Sequence, residues 1–365
     1  MANFEHNLAA YNAVEEALGG SGAQPNDIVA VRAIAVLEGV SGGPASLLDD
    51  NMVLRLNAID VGAGGTGTHE NTLDALNSIV ILKGGVGGHE NDLDAINEWV
   101  DVAGALLPLD AVAGADLAFS SRLLRAAYAG DALRVRRSSD SAELDIGFVA
   151  GELDIAAMET FCGAGDGFVV TFYDQSGNGD DLVQATAADQ PKIVDSGSTL
   201  LQNGKPILRF DGGSDFMSVS VPASVQPVTV FGVITQITWT LTDYMWDGGG
   251  GITNSMALFQ AVATPTLHAN AGAALVLAPA LALGTTGLIS VVYDGVSSTL
   301  RLDDGAEVTG NLGAGAPAGL ILSARGGGGR LGNVEHSEFI LYPSALSAAD
   351  QTTLRDNINA FLSIF

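Results

Sequence analysis

The chain has 365 residues, 47% of them apolar, and 15 Lys and Arg against 42 Asp and Glu leave a formal charge of −27. That length holds two or three domains with a sizeable core, and the acidic surface excludes nucleic acid and anionic membranes as partners. Cys162 is the one cysteine, which excludes an internal disulfide and a cysteine-based zinc site. No apolar run is long enough to span a bilayer, so membrane insertion is not expected. The acidic start MANFEHNLAAYNAVEE lacks the basic opening of a secretory signal.

Residues 1–108 read as an array of short helices. Five segments superpose on Asn12, Arg32, Asn57, Asn77 and Asn97, a period of roughly twenty residues with one insertion near Leu47 to Asn51. Within a unit the apolar residues Leu73, Leu76, Ile79 and Val80 fall on one helical stripe. Asn71 and Asn91 are placed as N-caps, and Gly64-Gly65 and Gly84-Gly85 as C-terminal stops. His69 and His89 belong to the capping segments rather than to a metal site. Helices this short need a neighbour over the stripe, so the array is expected to assemble with further units or copies.

Residues 109–116 form a linker, and an amphipathic helix is expected over Leu117 to Tyr128. Ala132 to Arg137 reads as the first strand, with Arg134 and Arg136 on one face answering Asp140, Glu143 or Asp145. The stretch around which this half is organised is GDGFVVTFYDQSGNGDD, Gly165 to Asp181, an apolar strand running into an acidic, glycine-spaced loop. Asp174, Ser176, Asn178 and Asp180 sit at the first, third, fifth and seventh positions of a calcium-type loop. The twelfth is Ala185 rather than a bidentate Glu, which leaves a plain turn as the alternative. No other cofactor is expected.

Short strands follow at Ile207–Phe210, Val228–Ile234, Ser255–Gln260, Leu288–Tyr293, Thr299–Leu302, Leu320–Ala324 and Glu338–Tyr342, separated by Gly/Asp turns. Ser347 to Phe361 closes the chain as a helix capped by Ser347. The predicted class is therefore multidomain, with helical repeats over 1–108 and an all-β jelly-roll sandwich with a C-terminal helix over 117–365.

LLRAAYAGDALRVRRSSD and DIAAMETFCGAGDGFVVTFYDQSGNGDDLVQATAADQPKIV, spanning Leu117 to Val194 in part, resemble the catalytic-domain family of α-L-arabinofuranosidase B. They also resemble phage virion domains with the same pattern. LRFDGGSDFMSV and FILYPSALSAADQTTL are similar to concanavalin A-like, laminin-G-type sandwiches, and the GG-punctuated repeats resemble those of tailed-phage virion proteins.

The family resemblance implies a nucleophilic Glu in a GNAE-like turn and an acidic Asp in a GGD-like turn. These positions fall on Asp247 to Thr253, where Gly or Ile stands in place of the Glu, and on Ala324 to Arg330, which holds no carboxylate. A glycosidase needs two facing carboxyl groups, so the expectation is not an enzyme. The resemblance also implies a cysteine pairing that is broken here, since Gly167 stands where a second cysteine would face Cys162. Cys162 is expected to be a core thiol.

The reading is a structural virion protein of a tailed bacteriophage, on the head, neck or tail, made in the host cytoplasm and displayed on the released particle. Residues 1–108 would contact other virion proteins, the assembly would be a trimer, and the lectin-like domain would bind a host-surface glycan. Trp239, Tyr244 and Trp246, with Asp247, are the candidate sugar platform. The alternatives are an arabinofuranosidase-type glycoside hydrolase using Asp247 and a ligand-free decoration protein.

Overall fold

A computed structural model describes Leu76 and residues 107–365, apart from 222–224, 250–255, 262–263 and 327. The helical array expected over residues 1–108 thus lies almost wholly outside the described residues. From Leu107 to Phe365 the chain forms one unit built of two antiparallel layers.

One layer runs, in pairing order, Ser298–Leu302, Thr286–Tyr293, Val228–Gln236 and Asn333–Tyr342. The last strand divides its other edge between Leu208–Asp211 and Leu117–Ser120. The second layer contains Glu143–Ile146, Leu133–Arg137, Gly167–Phe172, Leu182–Val183 and Met217–Ser220. It continues through Gly319–Leu322, Tyr244–Asp247, Ala257–Gln260 and Leu267–Asn270. The strand Lys192–Asp195 joins the layers at one edge, where Lys192 pairs with Arg209.

Val228–Gln236 and Thr286–Tyr293 are buried along their whole length because both faces are covered. Val230, Ile234, Ile289, Val291, Phe339 and Leu341 face the opposite layer. The alternate residues Phe231, Val233, Leu288, Ile340 and Tyr342 pack with Leu354, Ile358 and Leu362 of the C-terminal helix Ala348–Leu362. Ser347 caps that helix, accepting from the Asp350 N–H. The all-β sandwich and its closing helix are as the strand and capping patterns predict.

The segment from Leu117 differs. In place of an amphipathic helix, Leu117–Ser120 is a strand, and 121–128 continue as bridge and turns. Its four strand residues are all buried, so pairing with the end of Asn333–Tyr342 outweighs the helical spacing of Leu117, Leu124 and Tyr128. The other side of this segment is satisfied by the Asp174–Gln175 dipeptide. Asp174 Oδ1 accepts from the Ala118 N–H at 2.9 Å, and the Gln175 N–H donates to the Ala118 carbonyl at 2.8 Å. The Gln175 carboxamide, wholly buried, donates to the carbonyls of Ser120 and Arg122 and accepts from the Leu124 N–H.

The arginines of Leu133–Arg137 find partners. Arg134 forks onto Asp145 at 2.7 and 2.8 Å, Arg137 binds Asp140, and Arg136 reaches Gln190 instead of an acid. A short helix, Ile155–Cys162, carries the buried Cys162, whose Sγ lies 2.8 Å from where a Cβ at Gly167 would stand.

Gln175→Leu keeps the apolar bulk but leaves three buried backbone groups unpaired, each worth about 1–3 kcal/mol. The expected loss is roughly 3 kcal/mol or more in urea unfolding. A change below about 1 kcal/mol would contradict the role given to the carboxamide.

Candidate active site

Tyr244–Asp247 ends at a glycine corner. The Asp247 carboxylate is fully buried, with Oδ1 2.9 Å from the Gly249 N–H and Oδ2 3.4 Å from the Gly326 N–H. Gly249 has φ +72°, and a Cβ there would lie 3.2 Å from the Gly319 backbone, so the corner admits only glycine at that position. Opposite it, Arg325 and Gly329 pair across a tight turn, with the Gly328 N–H donating to the Arg325 carbonyl at 3.0 Å. The Arg330 carbonyl accepts from the Tyr244 N–H.

The corner is electrostatically mixed. Burial raises the Tyr244 phenol above its ordinary value; Asp247 adds to that, while Arg325 and Arg330 oppose it. Burial likewise raises Asp243, against a Thr240 hydrogen bond and the pull of Arg330. Two carboxylates, two guanidinium groups and a phenol thus surround this strand. Arg325 and Arg330 were not among the expected site residues; their placement on either side of four glycines was the available signal.

The expected sugar platform is not assembled. Trp246 is 1% exposed and belongs to the core, edge-on to Phe339 at 5.7 Å. A one-residue bulge between Tyr244 and Trp246 turns the indole inward, and Gly232 on the facing strand leaves room for it. Tyr244 is half-buried, with Phe259 stacked on its ring at 5.2 Å and 19°. Trp239 is half-buried in the preceding loop. Of the four residues, only Tyr244 and Asp247 meet at the corner.

Asp174, Ser176, Asn178 and Asp180 do share one loop, but its oxygens face protein donors. Besides the Ala118 N–H, Asp174 accepts from the N–H groups of Ser176, Gly179 and Asp180 and from the Ser176 hydroxyl. Asn178 Nδ2 donates to the Asp116 carbonyl. Burial raises Asp116, with Asp180 and Asp174 adding to the shift. Among the described residues no group of three or more His, Cys, Asp or Glu is arranged to hold a metal ion.

Comparison with known proteins places the likeness upstream of this corner. A family described as "Alpha-L-arabinofuranosidase B, catalytic" matches residues 113–207. The "Probable alpha-L-arabinofuranosidase B" of Aspergillus clavatus is 38% identical over 68 residues, 18% of this chain and 13% of that protein. Among solved structures, an α-L-arabinofuranosidase soaked with a cyclic sulfate inhibitor superposes with a TM-score of 0.57 at 17% identity. That superposition covers 70% of this chain and 65% of the other. An arabinofuranosidase complexed with arabinofuranosyl-α-1,2-xylobiose gives 0.55 at 18% identity over the same shares. The chain thus spans less than two thirds of the relatives it matches, and the structural likeness establishes the sandwich fold.

These findings overturn the expectation of a non-enzymatic phage virion protein, and with it the virion partners, the host-surface glycan and the trimer. The family profile and the sequence relative are arabinofuranosidases, and the fold is one that arabinofuranosidases share. The two glycine-rich turns lie outside residues 113–207, where the family profile matches.

The indole lies so close to Gly232 that a Cβ there would sit 2.7 Å from Trp246 Cζ3. Gly232→Ala is expected to destabilise by about 1–3 kcal/mol through overpacking. Unchanged thermal unfolding would mean that Trp246 is not held in the core as described.

Proposed function

We propose that this chain is a glycoside hydrolase acting on α-L-arabinofuranosides, with Asp247 as its reacting carboxylate. The observation that carries the reading is the family match over residues 113–207, on a fold shared with arabinofuranosidases. Asp247 ends a central strand at the start of the segment onto which the resemblance maps its nucleophile, one register away from the position that holds the Glu in that family. In this reading the corner opens to admit the sugar, since the carboxylate is fully buried. Asp247 attacks the anomeric carbon, the bond to the aglycone oxygen breaks, and that oxygen departs with the electron pair. Water then displaces the carboxylate and releases arabinose, the water's proton passing through solvent to the departed alkoxide.

The facing turn offers Arg325 and Arg330 and no carboxylic acid. Guanidinium groups stabilise a departing oxyanion but do not protonate it, since they stay charged throughout the working pH range. Rate should therefore depend steeply on the acidity of the leaving alcohol. Aryl arabinofuranosides with electron-withdrawing rings would be turned over, and alkyl-linked ones far more slowly.

A leaving-group series of aryl α-L-arabinofuranosides, assayed with the full chain, tests this. The expected result is rising kcat with leaving-group acidity and a loss of about 10³-fold or more in Asp247→Asn. Absence of turnover, or turnover indifferent to Asp247→Asn, would overturn the assignment.

A further inference from the structure

Where the two layers join, a row of side chains crosses five strands in register. Arg136 pairs with Phe168, Phe168 with Lys192, Lys192 with Arg209, and Arg209 with Glu335. A cleft of about 390 Å³ opens beside this row, lined among others by Phe168, Gln190, Lys192, Arg209, Asp211 and Asp215. It shares no residue with the Asp247 corner, and its volume suits a sugar unit rather than a bare ion.

The lining is held in place. Gln190, buried, accepts from Arg136 Nε at 2.7 Å and donates to the Gln184 carbonyl at 2.8 Å. Lys192 Nζ reaches Asp166 at 2.9 Å and Asp195 at 3.0 Å, leaving one of its three N–H groups. Arg209 engages Glu335 through Nε and Nη2, leaving Nη1. Asp211 Oδ1 accepts from the N–H groups of Gly213, Ser214 and Asp215, and Asp215 Oδ2 accepts from the Asp211 N–H. Arg136 lies over the Phe168 ring at 4.8 Å and Lys192 at 5.8 Å from its centroid.

Charge selects the ligand class. Both cations lining the cleft already face carboxylates, and Asp211 and Asp215 add negative charge. Arg136, which has no acid partner, lies outside the lining and is turned onto Gln190 and the Ala187 carbonyl, so a phosphate or uronate meets more anions than free cations. The crowding of acids is visible in Asp215, which burial and then Asp211 push up to about 6. Asp211 moves the other way, its backbone donors outweighing the effect of burial. Metal ions lack a ligand group of three or more among the described residues. What remains is a neutral polyol. Its hydroxyls donate to the aspartates and accept from Lys192 and Arg209, and its C–H surface meets the edge of Phe168, whose ring carries Arg136 and Lys192.

We propose that this cleft is a second carbohydrate site, taking a neutral furanose or pyranose unit, independent of chemistry at Asp247. The test is NMR titration of full-length Asp247→Asn protein with L-arabinose and xylotriose, and in parallel with galacturonate and calcium. The neutral sugars are expected to shift the Gln190 carboxamide and the backbone amides of residues 211–215. Lys192→Met and Asp215→Asn should each weaken that binding at least tenfold.

Asp215→Asn is expected to fold, because it removes a carboxyl that burial disfavours as an anion. The native state of the parent loses stability as pH rises through about 6, so the variant should gain on it above that pH. Phe168→Leu, which keeps apolar volume, is the companion variant should Lys192→Met unfold. No shift with either neutral sugar, shifts unchanged in the variants, or a preference for galacturonate or calcium would overturn the proposal. Because binding is read directly, this outcome is separate from whether the chain hydrolyses arabinofuranosides.

Discussion

Two side chains stand in for a strand. Asp174 and Gln175 supply the hydrogen bonds that a neighbouring strand would otherwise give to residues 118–124, and both are buried while doing so. Leaving those peptide groups unpaired in the core would cost more than the ordering of one loop. The consequence runs through the first half of the sandwich. Leu117–Ser120 is held extended, Phe119 enters the core against Phe172 at 5.7 Å, and the end of Asn333–Tyr342 gains its second partner. Both halves of this interaction fall within residues 113–207, the stretch that matches the arabinofuranosidase family.

The long strand Asn333–Tyr342 imposes the second constraint, since it is buried almost throughout and yet carries Glu335, His336 and Glu338. Each is accommodated differently. Glu338 takes a bidentate contact from Arg122, which also reaches Asn357 and lies over Phe361 of the C-terminal helix. Glu335 holds Arg209 at the cleft. His336, edge-on to Phe210, is pushed by burial down to about 3 and stays neutral at any ordinary pH. The ion pairs cost desolvation, but they fix the helix and the layer junction in one arrangement.

Periodicity made the sandwich legible, because strands such as Thr286–Tyr293 are apolar on both faces and bounded by Gly/Asp turns. Ser347 announced the closing helix. Leu117–Tyr128 misled, because its helical spacing was overridden by pairing with a strand over two hundred residues away. The aromatic platform misled for a related reason: a bulge turns Trp246 inward, and a bulge leaves no mark in residue spacing. Asp247 was visible as the acid ahead of a run of four glycines, but Arg325 and Arg330 come from a distant turn. The cleft was invisible as a unit, since its residues come from three separate segments that only the register aligns.

The family likeness lies in residues 113–207 and the proposed chemistry at Asp247, outside that stretch, so the account stands or falls on whether a sugar is held at the glycine corner. The direct measurement is a crystal of full-length Asp247→Asn protein soaked with 4-nitrophenyl α-L-arabinofuranoside. The account predicts arabinofuranosyl density with its anomeric carbon facing position 247 and its aglycone oxygen toward Arg325 and Arg330. Density confined to any other part of the chain, with the corner closed over an empty site at saturating ligand, would contradict it.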